Sequence, residues 1–128
     1  MKRAIVLVDH GSKRAEANEA LERVAELLRG LVGDSVVVEA AHMELASPTI
    51  DEAFARCRAA GALEVVVVPY FLSPGRHVSE DIPRMAQEAA RAHEGMVAKV
   101  TAPLGPDLAL AELARARFEA ALDEEASG

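Results

Sequence analysis

The sequence lacks the features that mark secreted, membrane-spanning or redox-active proteins. It holds one cysteine, Cys57, which excludes an internal disulfide and any CxxC motif. No run of about eighteen apolar residues occurs, so no membrane-spanning helix is predicted. The first apolar run, residues 4–8, is too short for a signal peptide and leads directly into Asp9 and His10. We therefore expect a cytoplasmic protein.

Positive charge is also scarce, since the formal net charge is −7. Nucleic acid and anionic membranes both need a basic surface, so neither is expected as a partner. Aromatic residues make up only 3% of the chain, and the apolar content comes mainly from Ala, Val and Leu. Small apolar side chains suit closely packed layers of helix and sheet. The 128 residues correspond to one ordinary domain.

Strand-like and helix-like segments alternate four times along the chain. Apolar runs predict strands at residues 4–8, 36–43, 64–69 and 96–101. Helical periodicity predicts helices at 13–31, from Thr49 onward, from Ser79 or Asp81 to Ala92, and at 107–122, with a loop over 70–78. We treat residues 1–122 as a single domain and residues 123–128 as a frayed tail.

This alternation predicts a three-layer, doubly wound α/β fold with a parallel sheet of about four strands. We expect the flavodoxin-like strand order 2-1-3-4. Ligands of such sheets bind beyond the carboxyl ends of the strands, where the strand order reverses. The ends of strands one and three are neighbours there. The segment after strand one contains His10, and the loop after strand three ends at His77.

Several familiar chemistries are absent from the sequence. There is no GxxxxGKS/T phosphate loop, no GxGxxG after the first strand and no GxSxG nucleophile elbow. No nucleotide cofactor is therefore expected. The pair His10-Gly11 is similar to the Arg-His-Gly start of histidine phosphatases, but Asp9 would repel a phosphate.

Two histidines and one carboxylate are the candidate site residues. Histidine binds late first-row metals and takes up a proton near neutral pH. His10 or His77 alone is equally consistent with an ordinary loop residue, but the two together on adjacent strand ends indicate a site. Glu44 follows the second strand and could steady a cation or accept a proton at the same rim. Its alternative is an exposed acid near a helix start, and we expect His42 to pack beside the sheet.

A local cluster of positive charge accompanies these loops in an otherwise acidic chain. Local positive charge favours an anionic ligand that carries carboxylates or phosphates. Each basic residue alone is also consistent with a solvated surface charge. The cluster consists of Lys13, Arg14, Arg76 and Arg84.

Three blocks of the sequence resemble the small sirohydrochlorin chelatases of the short CbiX type, relatives of the SirB ferrochelatases. The first block is Asp9-His10-Gly11-Ser12, and the second is MELASPTI over residues 43–50. The third block, VPYFLSPGRHV over residues 68–78 followed by Asp81-Ile82-Pro83, is the most specific. The resemblance covers nearly the whole chain.

The resemblance implies a chelatase half-domain that inserts Co²⁺, Fe²⁺ or Ni²⁺ into sirohydrochlorin, releases two protons and uses no organic cofactor. It implies that His10 and His77 handle the metal, with Glu44 as an acidic helper. Longer members contain two such halves, so a homodimer is expected. The residues assigned to the substrate are Ser12, Lys13, Leu72, Ser73, Pro74, Gly75 and Arg76.

Two other functions are consistent with the same sequence. A non-catalytic carrier of metal or tetrapyrrole would need the same residues and would differ only in showing no multiple turnover. A flavodoxin-like interaction domain would bind neither metal nor macrocycle. The metal and the pathway stay open, because imidazole suits all three ions.

Overall fold

A computed structural model of the protein describes the backbone of residues 2–127 and the side chains of 2–76 and 78–124. The chain alternates strands with helices, and a short π-helical turn precedes the third helix. In chain order the elements are β1 (Arg3–Asp9), α1 (Ala15–Val32), β2 (Val36–His42), α2 (Ile50–Ala59), β3 (Glu64–Pro69), the π-helical turn (His77–Asp81), α3 (Ile82–Ala92), β4 (Val97–Val100) and α4 (Leu108–Ser127).

The four strands form one parallel sheet in the order β2-β1-β3-β4. This confirms the predicted order and the α/β class. The register places Asp9 beside His42, and Val8 beside Pro69. The carboxyl ends of the three strands β2, β1 and β3 therefore reach the same edge of the sheet.

Helices cover the two faces of the sheet unequally. Side chains alternate along a strand, so β1 sends Val6 and Val8 to one face and Leu7 to the other. On the first face α2 and α3 build the larger core, which includes Phe54 and Ile82. On the second face α1 packs against β1 and β2 through the buried residues Leu21 and Ala25, together with Leu7, Val38 and Ala40.

Two predicted boundaries need correction. Helical backbone begins at His77, before the predicted start at Ser79 or Asp81, as a π-helical turn. The backbone N–H and the hydroxyl of Ser79 both donate to the Gly75 carbonyl oxygen, at 2.8 and 2.9 Å, and start the helix early. Pro83 does not interrupt the helix, because an N–H in the first turn has no intrahelical acceptor.

The last helix is longer than expected. α4 continues to Ser127, so residues 123–127 are helical where the sequence indicated fraying. The Asp-Glu-Glu-Ala run extends the helix because Glu and Ala are strong helix formers. The final residue, 128, lies outside the described residues. No helix between residues 2 and 127 is long and apolar enough to cross a membrane.

The buried thiol of Cys57 gives a test of the core. Its side chain has no solvent exposure, and burial raises its pKa to about 12. Because the thiolate is the reactive form, native protein should not react with an aromatic disulfide reagent at pH 8, whereas protein unfolded in guanidinium should react at one thiol per chain. Absorbance of the released thiolate measures the reaction. Rapid reaction in native buffer would contradict this placement of Cys57 in the core.

Candidate functional site

The carboxyl edge of the sheet carries two loops that run side by side. The backbone N–H of Met43 donates to the Asp9 carbonyl at 3.0 Å, and that of Glu44 donates to the His10 carbonyl at 3.2 Å. These bonds join the two segments just beyond the ends of β1 and β2. The sequence-predicted residues His10 and Glu44 are thereby placed on adjacent, hydrogen-bonded stretches of backbone.

The side chains of His10 and Glu44 meet at this edge. His10 Nε2 lies 3.1 Å from Glu44 Oε1, and the two side chains are 46% and 59% exposed. When Nε2 carries the proton, it donates to the carboxylate, and Nδ1 keeps its lone pair. A carboxylate that accepts from one ring nitrogen is the usual partner of a metal-binding histidine, because it fixes the tautomer and raises the basicity of the other nitrogen.

Gly11 allows the two loops to approach this closely. It has a φ of 95°, in the left-handed region that favours glycine, and a Cβ atom there would lie 1.8 Å from the Glu44 carbonyl oxygen. Leu45, which directly follows Glu44, has a second unusual backbone conformation, with a φ of 70°. Backbone strain of this kind tends to be concentrated at functional turns.

Asn18 holds the loop that contains Ser12. Its Oδ1 accepts from the Ser12 N–H at 3.0 Å, and its Nδ2 donates to the Ser12 carbonyl at 2.8 Å. The Ser12 hydroxyl oxygen in turn accepts from the Arg14 N–H at 3.0 Å. The sequence analysis missed Asn18. A polar residue one turn into a helix that follows a glycine-containing loop is the signal that could have identified it.

A second histidine–carboxylate pair lies beneath the rim. His42 is 1% exposed, and its Nδ1 lies 2.5 Å from Asp9 Oδ1. His42 therefore packs inside the protein as expected, but through a hydrogen bond that the sequence did not reveal. Because Asp9 directly precedes His10, this buried contact also fixes the backbone that carries the exposed histidine.

Most of the remaining predicted site residues are exposed to solvent. The loop from Leu72 to Arg76 is exposed, as are Lys13 and Arg14. No ion pair joins Lys13, Arg14 or Arg76 to another described side chain. The backbone of His77 begins the π-helical turn, and its side chain lies outside the described residues.

Arg84 differs from the other basic residues at this edge. Its guanidinium already contacts Asp81 at 3.7 Å and Glu88 at 3.4 Å. Arg84 and Asp81 also line a cleft of about 250 Å³ together with Glu44, Met43 and Met85. The structure therefore places Glu44 across a cleft from the end of the π-helical turn that His77 begins.

The arrangement offers ligands for a cation without enclosing one. Within residues 2–76 and 78–124, no group of three or more His, Cys, Asp or Glu side chains is placed to hold a metal ion. His10 and Glu44 supply one nitrogen and one carboxylate ligand at an open edge.

Comparison with known proteins decides the family. The CbiX family model matches residues 4–121. The chain belongs to the CbiX family. This confirms the resemblance read from the three sequence blocks. The chain is also 44% identical over 115 residues to the chloroplastic sirohydrochlorin ferrochelatase of Arabidopsis thaliana, with 90% of the chain and 51% of that protein covered.

Solved CbiX-type structures share the fold. The sirohydrochlorin chelatase SirB of Bacillus subtilis subspecies spizizenii, in complex with cobalt, matches with a TM-score of 0.83 and 30% identity, covering 93% of this chain and 50% of that one. A cobalamin-biosynthesis CbiX protein from Marinobacter aquaeolei matches with a TM-score of 0.80 and 30% identity, covering 95% and 98%. The CbiX-family chain thus spans about half the length of the plant and Bacillus proteins and nearly all of the Marinobacter chain.

Substitution of Gly11 tests the contact between the two loops. Gly11→Ala should lower the free energy of unfolding by more than about 1 kcal/mol, because the new methyl group meets a backbone oxygen and φ is positive. Gly30→Ala is the matched control. Gly30 lies in α1 with open space around it, so alanine there should raise stability by up to about 1 kcal/mol. Urea unfolding measures both changes, and equal effects of the two substitutions would contradict the contact.

Removal of the Asp9 carboxylate tests the buried pair. Asp9→Ala should lower the free energy of unfolding by about 1–3 kcal/mol, because it leaves the buried His42 Nδ1 without its acceptor. Asp9→Asn should recover much of this loss, since an amide oxygen still accepts. Asp51→Ala removes the acceptor of His93, in a pair of the same residue types whose carboxylate is 61% exposed, and should cost less than about 1 kcal/mol. Thermal unfolding would oppose this assignment if Asp9→Ala and Asp51→Ala had equal effects.

Proposed function

We propose that this chain is a sirohydrochlorin chelatase that inserts Co²⁺, Fe²⁺ or Ni²⁺ into the macrocycle and releases two protons, without a nucleotide or organic cofactor. The observation that carries the proposal is the His10–Glu44 pair, 3.1 Å apart on an open rim. Membership of the CbiX family supports it, as do relatives named sirohydrochlorin ferrochelatase and sirohydrochlorin cobaltochelatase.

Metal handling falls to the two histidines in this proposal. An incoming ion is a substrate that must be bound, partly stripped of water and then released into the ring. His10 presents an imidazole oriented by Glu44, and its exposure leaves coordination positions open for water and for the macrocycle. His77 is the proposed second ligand, since it begins the π-helical turn whose last residue, Asp81, lines the cleft with Glu44.

Two pyrrole N–H protons must leave as the metal enters. His10 can accept a proton near neutral pH, and Glu44 lies within hydrogen-bonding distance to receive it. The same imidazole is also the proposed metal ligand. Measurement of the insertion rate against pH would establish in which order it takes the two roles. Both roles need the pairing that Gly11 permits.

The macrocycle carries several carboxylates, and the rim offers exposed cations to meet them. Lys13, Arg14 and Arg76 are proposed to bind these carboxylates, with charge-assisted hydrogen bonds as the main contacts. The exposed loop Leu72, Ser73, Pro74 and Gly75 would lie against the ring, and the Ser12 loop would hold its position through Asn18.

The assembly and compartment are part of the same proposal. We infer a homodimer in which two rims enclose one macrocycle, because the Bacillus relative is long enough to hold two such units in one chain. We also infer a cytoplasmic location, where the reducing environment keeps a lone thiol such as Cys57 reduced.

An anaerobic insertion assay tests the function. Protein would be mixed with sirohydrochlorin and Co²⁺, Fe²⁺ or Ni²⁺ in turn, and the visible spectrum followed against a control without protein. We expect multiple turnovers with the native chain and a loss of about 10²-fold or more in His10→Ala, because one residue would supply both a metal ligand and a proton acceptor. Glu44→Gln should shift the pH–rate profile.

His93→Ala is the matched control for this assay. His93 Nε2 also lies 3.1 Å from a carboxylate, Asp51 Oδ1, but the pair joins α2 to the end of α3, and neither residue lines the cleft beside Glu44. Its removal should leave the rate unchanged. Insertion rates equal to those without protein, for all three metals, would overturn the proposal of an enzyme. Tight binding of metal or macrocycle without turnover would indicate a carrier.

A further inference from the structure

The residue that follows Glu44 combines a left-handed backbone with an exposed apolar side chain. Leu45 has a φ of 70° and is 56% exposed. Leucine is uncommon in this conformation, because its Cβ atom crowds the following carbonyl oxygen. Exposure of an apolar side chain to water is unfavourable as well. Leu45 therefore carries two costs in free energy, and burial within its own chain offsets them only in part.

Backbone hydrogen bonds hold the chain on both sides of Leu45. On one side, the Glu44 N–H donates to the His10 carbonyl at 3.2 Å. On the other side, the His42 N–H donates to the Pro48 carbonyl at 2.8 Å and closes the loop that contains Leu45. An unfavourable conformation persists where the surrounding structure determines it in this way.

The start of α2 fixes the far end of the same loop. The Thr49 N–H donates to Glu52 Oε1 at 2.8 Å, and the Glu52 N–H donates to the Thr49 hydroxyl at 3.1 Å, which together form a capping box. The Ser47 hydroxyl donates to the same Glu52 oxygen at 2.9 Å. The backbone position of Leu45 is therefore preset, so a ligand that binds there loses little free energy in ordering it.

The turn itself does not require a leucine. Glycine or asparagine would give the same backbone direction at a lower steric cost. Single exposed leucines are also ordinary on protein surfaces. Leu45 differs from both cases, because an exposed apolar side chain is held in an unfavourable conformation one residue from the carboxylate that contacts His10. Unfavourable local features at such a place indicate a role in binding.

The macrocycle is the ligand whose chemistry fits an apolar side chain at this rim. A tetrapyrrole has an apolar ring with carboxylates at its periphery, so its recognition needs apolar contacts as well as cations. Insertion requires the centre of the ring to approach the ion that His10 would hold. Neighbouring Cα atoms are about 3.8 Å apart, so Leu45 follows Glu44 closely enough to lie under the same ring.

We propose that Leu45 contacts the apolar face of the macrocycle and sets its affinity, while His10 and Glu44 handle the ion. The inference rests on the chelatase function proposed above and adds a substrate-contact residue to it. Contact with the ring would bury the exposed part of Leu45, which corresponds to a gain of about tenfold in affinity. A hydrocarbon side chain neither transfers a proton nor binds a metal ion, so the effect falls on KM and not on kcat.

Leu45→Asn tests the contact in the full chain. Asparagine is close to leucine in size and tolerates a positive φ, so the variant keeps the turn and loses the apolar surface. We expect the dissociation constant of metal-free sirohydrochlorin, from an anaerobic titration followed by visible absorbance, to rise about tenfold, and KM to rise with it. The value of kcat, the affinity for Co²⁺ measured by calorimetry and the melting temperature should not fall.

Leu45→Met and Ser47→Ala are the matched controls. Methionine keeps an apolar side chain at the same position, so the macrocycle affinity should stay within about threefold of that of the native chain. Ser47 is exposed in the same loop, and its hydroxyl bonds to Glu52. Its removal should therefore leave both the macrocycle affinity and KM unchanged.

The measurements separate this inference from the chelatase proposal. Unchanged macrocycle affinity in Leu45→Asn, beside normal turnover by the native chain, would overturn the contact and leave the chelatase standing. Weaker binding of Co²⁺ by Leu45→Asn would overturn it in favour of a role in positioning Glu44. A fall in the mass measured by light scattering would assign Leu45 to a contact between copies instead. Native protein that neither binds nor metallates sirohydrochlorin would overturn both proposals.

Discussion

The hydrogen-bonded approach of the Gly11 loop to the backbone of Met43 and Glu44 is the constraint on which the rim depends. Two backbone hydrogen bonds join the segments just beyond β1 and β2, and the close approach is possible because residue 11 has no Cβ. A larger residue would push the Glu44 carbonyl away and carry the carboxylate out of reach of His10.

The same edge contains two histidine–carboxylate pairs in different surroundings. Asp9 and His42 are joined beneath the rim, where His42 is almost fully buried, and His10 and Glu44 are joined above it, where both are open to solvent. A buried pair is costly to break, because a lone polar group would be left in the core. An exposed pair exchanges partners easily. The lower pair therefore suits fixed positioning of the strand ends, and the upper pair suits chemistry with an incoming ion.

Much of the fold could be predicted from the sequence. β-Branched runs and the rules for parallel connections led to the observed strand order, and this order brought the loops after β1 and β2 to one edge. The Asp9–His42 bond and the Asn18 contacts could not be predicted, because they join residues through tertiary distances that no local pattern encodes. The role of His77 stays a prediction.

The loop from Leu72 to Arg76 differs in kind from the backbone that carries His10 and Glu44. His10 and Glu44 are joined through a backbone hydrogen bond just beyond the strand ends, whereas this loop is exposed along its length and is held near its start by the hydrogen bond between Gly105 and Phe71. Substitutions and insertions in it can therefore accumulate without moving the imidazole or the carboxylate. Such a division lets the outer loop vary while the imidazole and the carboxylate keep their mutual geometry, so the two parts of this edge can change independently in evolution.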